Sequence, residues 1–378
     1  MRTTNTHIIS CNRCVFTSEH DPDLFVNEFG VCNHCVEYDR KKQYIAEHKN
    51  DSKEIQNFIA HIKKTSKKSK YDCIIGVSGG VDSTYVALKV KELGLNPLAV
   101  HFDNGWNSEL AIINIENIVK KLHIDLYTYV VDWDEFKDMQ LAYLKASVID
   151  IEAITDQAIT AVMFKIAKKF GIKYIISGEN YRTEGTLPKS WVYIKSDCRN
   201  IRDICKKFGT KPMKTYPMIG YFRRIIWQKF LQFKYWRILD DIPYDREKAK
   251  SEIISKLEWR DYGGKHYESI FTRFYQAYIL PQKFNVDKRV SHYSTLICAE
   301  QIDKNRVLQL LQEPLYSPRL LQEDIAYIQK KFKLTPQMFS EIMQSPPKSH
   351  LEYKNVFETI AILKLFRLHK IFKRFIKL

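Results

Sequence analysis

The residues that most plainly carry chemistry lie between Ser78 and Thr84. There Ser78-Gly79-Gly80-Val81-Asp82-Ser83-Thr84 follows a short apolar run, Asp72 to Val77, and precedes a helical stretch closed by Gly94. Strand, glycine loop and helix together make a phosphate-binding arrangement. Two glycines let the backbone approach an anion and aim N–H groups at it, while the start of the helix adds partial positive charge. Ser78, Ser83 and Thr84 are expected to add hydroxyl donors. Asp82 would repel a phosphate unless a cation lay between them, so Mg2+ is expected to bridge Asp82 to the phosphates of a nucleotide. No lysine follows the glycines, which argues against the Gly-Lys-Ser/Thr loop of kinases and GTPases.

A second constellation lies upstream. Cys11, Cys14, Cys32 and Cys35 form two C-x2-C pairs with seventeen residues between them, the spacing of a four-thiolate zinc site. The two-residue gap lets both sulfurs of a pair face one cation, and Zn2+ takes four such ligands in a tetrahedron at about 2.3 Å. Gly30 suits the turn before the second pair. With all four positions filled, the Zn2+ is expected to be structural, replacing a core that a segment of about forty residues cannot build.

The elements around these residues alternate. Apolar strand-type runs fall at 72–77, 97–102, 124–131 and 173–177, with helical patterns at 108–122, 134–147 and 154–170 between them. Such alternation predicts an α/β fold with a doubly wound parallel sheet, in which ligands sit beyond the carboxyl ends of the strands. Three segments fall there: the glycine loop, His101 to Gly105, and Gly178-Glu179-Asn180. Expected divisions are a zinc ribbon at 1–50, an amphipathic helix and linker at 51–70, the nucleotide domain at 71–200, a helical substrate or catalytic region at 201–300 and a helical C-terminal region at 301–378. Tyr221 to Arg237 mixes basic and aromatic residues and reads as one helix. It suits a nucleic-acid stacking surface or an interfacial helix, and is favoured here as a helix docked on the sheet domain or a partner. Trp259 to Ser269 is dense in polar groups around Gly263-Gly264, and there Lys265 and His266 could stabilise charge on a reacting phosphate or carbonyl, with Glu268 ordering His266 or handling a proton. Lys288 and Arg289 add further cations.

Ser-Gly-Gly-x-Asp-Ser resembles the PP-loop of the N-type ATP pyrophosphatases, which cleave ATP between the α and β phosphates and adenylate a carbonyl or similar oxygen. That resemblance implies a PP-loop fold of the adenine nucleotide alpha hydrolase type. The backbone near Phe102 would hold the adenine and Gly178 would approach the ribose and α-phosphate, with Asp103 and Glu179 beside them and Ser78 to Thr84 around the phosphates. The order CNRC, FGVCNHC, SGGVDST, ISGEN, YGGKHYES, LPQKFNVDKR and SHYSTLI, over about residues 10 to 300, resembles the N-acetyl sugar amidotransferase family (WbpG-type) of lipopolysaccharide and flagellar-glycan biosynthesis. The family resemblance implies that ATP activates the acetamido carbonyl of an N-acetylated sugar, a nucleotide sugar or nonulosonic acid, and that ammonia displaces AMP to leave an acetamidino group. Asp82, Lys265, His266, Lys288 and Arg289 would be the catalytic set, the cations offsetting the departing pyrophosphate. Members of the family are associated with a separate glutaminase and a cyclase-like barrel that supply ammonia. Cys73, Cys198, Cys205 and Cys298 lack a glutaminase motif, and position 2 is Arg2, so a separate glutaminase is expected here too.

Two other readings compete. A PP-loop tRNA thiolation enzyme would also pair zinc with this loop, but it usually requires extra cysteines, and no C-x2-C exists beyond Cys35. A non-catalytic zinc-ribbon nucleic-acid or scaffold protein would have no need to keep Ser78, Asp82 and Ser83. Sixty Lys+Arg against 44 Asp+Glu, a formal charge of +16 over 378 residues, suits an anionic partner without choosing among nucleotide, nucleic acid, phosphorylated sugar and membrane surface. Given the motifs, nucleic acid is not expected. Hydrophobic residues at 45% and charged residues at 28% exclude a disordered or collagen-like chain. No long uncharged apolar run and no signal-type N-terminus appear, so a cytoplasmic location is expected, possible peripheral contact with the inner membrane coming from the apolar-basic stretch Leu351 to Leu378.

Overall fold

The computed structural model describes residues 8–48, 51–264 and 267–359. In chain order, α1 (Asn33–His48) and α2 (Ser52–Ser66) lead into β1 (Cys73–Gly76), α3 (Val81–Glu92), β2 (Pro97–Asp103), α4 (Glu109–Leu122), β3 (Asp125–Val130), α5 (Trp133–Ala146), α6 (Ala153–Lys169) and β4 (Tyr174–Ser177). Then come α7 (Tyr181–Glu184), α8 (Cys198–Phe208), α9 (Tyr221–Phe230), β5 (Lys234–Arg237), α10 (Ile238–Asp241) and α11 (Arg246–Leu257). The C-terminal part is helical: α12 (Ile270–Phe274), α13 (Leu280–Phe284), α14 (Lys288–Cys298), α15 (Lys304–Gln312), α16 (Pro318–Phe332) and α17 (Pro336–Gln344).

The five strands form one parallel sheet in the order β3-β2-β1-β4-β5. Ile74, Ile75, Ala99, Val100, Ile175 and Ile176 are all buried, because helices cover both faces and leave no polar side for the inner strands to alternate toward. α2, α3, α4 and α11 pack Ile59, Ile62, Val86, Ile118 and Ile253 on one face. On the other, α6 packs Val162, Phe164 and Ile166 against Ile74 and Val100. A third core joins the N-terminal cysteines to α5 and the C-terminal helices, through Trp106, Phe136, Phe271, Phe274 and Phe332.

The α/β class and the first four strands stand where the apolar runs placed them. α2 begins at Asp51, whose side chain accepts from the Glu54 amide while Glu54 accepts from the Asp51 amide, a reciprocal cap that starts the helix one residue later. The helix expected over Tyr221 to Arg237 needs correction. α9 stops at Phe230, Gln232 takes φ +55°, and the chain re-enters the sheet as β5 beside β4. Tyr235 and Trp236 favour a pleated surface, and Trp236 closes on Phe58 at 5.0 Å, so packing of the strand wins over helical periodicity. Lys234 and Arg237 guard this edge of the sheet. Strand order reverses between β1 and β4, and that gap is where the carboxyl ends of the strands open a crevice.

Candidate active site and candidate metal centre

The loop after β1 enters that crevice. Gly79 takes φ +79°, and a Cβ there would lie 2.6 Å from the Ala111 carbonyl, so the position accepts only glycine. Its own carbonyl is turned away: the Trp259 indole donates to it at 2.8 Å and the Asn114 amide at 3.4 Å. Anchoring the carbonyl outward stops a negative dipole from swinging into an anion site. Ser78 Oγ and Ser83 Oγ lie 3.2 Å apart, and Ser83 donates to the Gly80 carbonyl at 3.1 Å, which knits the loop onto the first turn of α3. His101, a strand residue, is buried, with Nδ1 3.0 Å from the Val77 carbonyl and Nε2 3.0 Å from the Asn107 amide. It braces the base of the loop.

A cavity of about 180 Å³ opens over the loop, lined by Ser78, Gly80, Val81, Asp82, Ser83, Gly178, Glu179, Glu184, Arg246, Tyr262 and Glu268. Gly178 lets β4 end against α3, since a Cβ there would sit 3.3 Å from the Asp82 carbonyl carbon. Four carboxylates (Asp82, Glu179, Glu184, Glu268) therefore share a wall with an anion cradle, and one guanidinium, Arg246, faces them. The Tyr244 hydroxyl donates to Asp82 Oδ1. Burial pushes the Tyr244 phenol far up from its ordinary value, and the Asp82 charge pushes the same way. Burial also raises Tyr262, helped by Glu268, which it bonds. Both phenols therefore keep their protons and serve as fixed donors to these two carboxylates.

Of the residues expected around ATP, the crevice brings together Ser78, Gly80, Val81, Asp82, Ser83, Gly178 and Glu179. Thr84 is not among them; its hydroxyl is buried and bonds the Gly80 carbonyl at 2.7 Å, because it points back along α3. Phe102 stacks on Tyr129, with ring centroids 6.2 Å apart, and the Asp103 carboxylate holds the Gly105 amide at 2.9 Å, so neither side chain lines the cavity. Arg289 chelates its neighbour Asp287 and donates to the Glu313 carbonyl at 2.7 Å, which commits the guanidinium away from the crevice. Lys288 starts α14 and is likewise outside the lining. Lys265 and His266 fall outside the described residues, as does most of the stretch Leu351 to Leu378. Reading by motif missed Tyr244, Arg246, Glu184 and Asn114, which sit in no motif. Trp259, Tyr262 and Glu268 lay within the polar cluster that the sequence does flag.

The helical C-terminal part is stitched to this site. The Ser108 amide donates to the Glu268 carbonyl at 2.9 Å and the Ile270 amide to the Trp106 carbonyl at 2.8 Å. Lys331 of α16 lies 4.5 Å from the Trp106 ring centroid and 4.8 Å from that of Trp133, and donates to the Gly105 carbonyl, holding the loop after β2.

In the N-terminal segment, the sulfurs of Cys11, Cys14, Cys32 and Cys35 lie within 4.8 Å of one another and all four residues are buried. Cys11 to Cys35 is 3.9 Å and Cys14 to Cys32 is 3.6 Å. A zinc tetrahedron with bonds of about 2.3 Å has edges of about 3.8 Å, so the set fits that ion. Gly30, at φ +72°, turns the chain before the second pair, and a Cβ there would strike the Asn12 side chain at 2.1 Å.

Residues 268–365 match the family described as LPS biosynthesis protein WbpG-like, C-terminal domain. The resemblance to the WbpG-type family read from the motifs holds over that stretch. No curated protein matches the chain. A solved structure of NMN synthetase from Francisella tularensis is similar at 14% identity and a TM-score of 0.29, covering 76% of this chain and 98% of that one. No described helix is long and apolar enough to cross a membrane.

Proposed function

Proceeding from the WbpG-like C-terminal domain at residues 268–365, we propose that the chain is an ATP-dependent amidotransferase that turns the acetamido group of an N-acetylated sugar into an acetamidino group. The observation that carries this reading is the shared wall of the cavity, where Glu268, the first residue of the matched region, lines the same space as Ser78, Gly80 and Asp82. A triphosphate entering beside four carboxylates needs cations to offset the repulsion, and among the described lining residues only Arg246 is one; Mg2+ held by Asp82 with Glu179, Glu184 or Glu268 fits that donor set, oxygen ligands of the type a hard cation takes. When bound, the ion would neutralise phosphate charge and orient the leaving pyrophosphate.

The chain's own groups then divide the work. Amides of the loop and the start of α3 seat the phosphates, and Arg246 offsets charge that grows on pyrophosphate. The amide oxygen of the sugar attacks the α-phosphorus, the bond to the β-phosphate oxygen breaks, and pyrophosphate leaves. Ammonia then adds to the activated carbon and AMP departs with the former amide oxygen. Glu268, oriented by the hydrogen bond from Tyr262, would take the proton that ammonia gives up. Lys265 and His266 remain proposed partners in the same loop. Ammonia is to come from a separate glutaminase with a cyclase-like subunit, since all eight cysteines of this chain are buried. With such a sugar precursor the proposed location is the cytoplasm, with peripheral contact at the inner membrane as its furthest reach.

The test is incubation of the full chain with ATP, Mg2+, ammonium and a panel of N-acetylated nucleotide sugars and nonulosonic acids. AMP, pyrophosphate and an acetamidino product are expected; ADP would refute the reading. Asp82→Asn should lower turnover on the order of a hundredfold or more, the scale of losing one preorganised electrostatic group, with the fold intact.

A further inference from the structure

Cys298 closes α14, is fully buried, and donates its S–H to the Cys35 sulfur at 3.5 Å. It lies outside the four-sulfur set whose members all fall within 4.8 Å of one another. Two cations bond the backbone at the same corner. Arg13, inside the first pair, donates to the Cys298 carbonyl at 3.3 Å and to Asp39 at 2.6 Å. Lys304, at the start of α15, donates to the carbonyls of Cys11 at 2.8 Å and Asn12 at 3.1 Å. Cys298 and Lys304 both belong to the WbpG-like region, more than 260 residues beyond the Cys35 sulfur and the Cys11 carbonyl that they respectively bond, the Cys298–Cys35 separation being 263.

We propose that Cys298 is a fifth, non-ligating thiol of the metal centre, a hydrogen-bond donor that holds the Cys35 sulfur and, with Lys304 and Arg13, makes retention of the metal depend on the C-terminal region. The physical reason is charge. Four thiolates around one divalent ion leave a formal excess of two negative charges in a buried place, and such charge is tolerated where donors and cations face it. Partners of this outer kind orient metal ligands, and losing one typically weakens the metal by about 10- to 100-fold. The inference rests on the four-thiolate reading, and the two failures are distinguishable: zinc bound stably by a Cys11→Ser chain would remove the premise, whatever Cys298 does.

The experiment uses the zinc-loaded full chain challenged with excess EDTA, zinc release being followed with a chromogenic indicator. Cys298→Ala should weaken retention at least about tenfold, and Cys298→Ser, which keeps a donor in nearly the same place, should recover most of the loss. The Co2+-substituted chain supplies a spectroscopic readout. In Cys298→Ala the sulfur-to-cobalt band should keep its intensity, reporting four thiolates, and move to lower energy as Cys35 loses a hydrogen bond. Wild-type retention and an unmoved band in Cys298→Ala would overturn the proposal, as would a loss of band intensity, which would make Cys298 a ligand. If Cys298→Ala does not fold, Cys298→Ser carries the test: full intensity supports the proposal and lost intensity overturns it.

Discussion

The cysteine ribbon and the glycine-loop crevice are built on opposite plans. All four clustered sulfurs come from residues 11 to 35, whereas the crevice is lined from four separate stretches, around Ser78, Gly178, Arg246 and Glu268. A short motif can define a metal site because chain connectivity alone brings two C-x2-C pairs near each other. It defines only the floor of the crevice, whose walls exist once β4, α11 and the segment before α12 have packed. Their supports nevertheless share one design. Cys298 reaches Cys35 and Tyr244 reaches Asp82 from far along the chain, so each local motif is held by a remote donor.

The largest effect should follow from Cys11→Ser. In small zinc units, metal-binding energy of about 10 kcal/mol or more is folding energy, and removal of one sulfur forfeits much of it. Because the four cysteines share a core with Trp106, Tyr181 and Phe271, the loss should reach the whole chain. Thermal unfolding is expected to drop on the order of 10 °C or more, with metal analysis falling from one zinc per chain to none. A stable, zinc-free Cys11→Ser protein would break the comparison at its ribbon end.

Gly79→Ala tests the crevice in isolation. Its Cβ would meet the Ala111 carbonyl at 2.6 Å with φ at +79°, so the loop must shift at a cost of about 1–3 kcal/mol. Titration calorimetry should show ATP affinity falling about tenfold, a loss of about 1.4 kcal/mol, while zinc content stays at the wild-type level. Unchanged ATP binding would mean that this loop is not the phosphate cradle. A parallel loss of zinc would mean that the two regions are not separable.

What the sequence made legible follows the same division. Ile74, Ile75, Ile175 and Ile176 disclose a parallel sheet, since strands buried on both faces have to be apolar throughout. Cys11 to Cys35 and Ser78 to Ser83 disclose their sites through spacing. β5 was hidden because Tyr235 and Trp236 sit in a run that also fits a helix, and only their neighbours on β4, Ile175 and Ile176, decide between them. Arg289 shows the opposite case: as a cation in a family motif it is expected at the reacting phosphates, and in the structure Asp287, two residues before it, takes the guanidinium. Tyr244 and Arg246 carry no motif at all, and nothing short of the packed fold places them beside Asp82.

The smallest effect expected is also the sharpest for the claim that remote donors hold local motifs. The Tyr244 phenol, kept protonated by burial, donates to Asp82 Oδ1 and so fixes which carboxylate edge faces the cavity. Tyr244→Phe removes that donor and keeps the ring packed on Tyr85, whose centroid lies 5.6 Å away. Net loss of one such hydrogen bond is worth about 1 kcal/mol, so stability should change little. The carboxylate is freer to turn, however, and an ion relying on it should bind less tightly. With turnover measured against Mg2+ concentration, half-saturation is expected to rise about five- to tenfold while the rate at saturating Mg2+ stays near wild type. A lower rate at every Mg2+ concentration would place Tyr244 in the chemistry itself. An unmoved half-saturation would show that Asp82 needs no support from outside its loop.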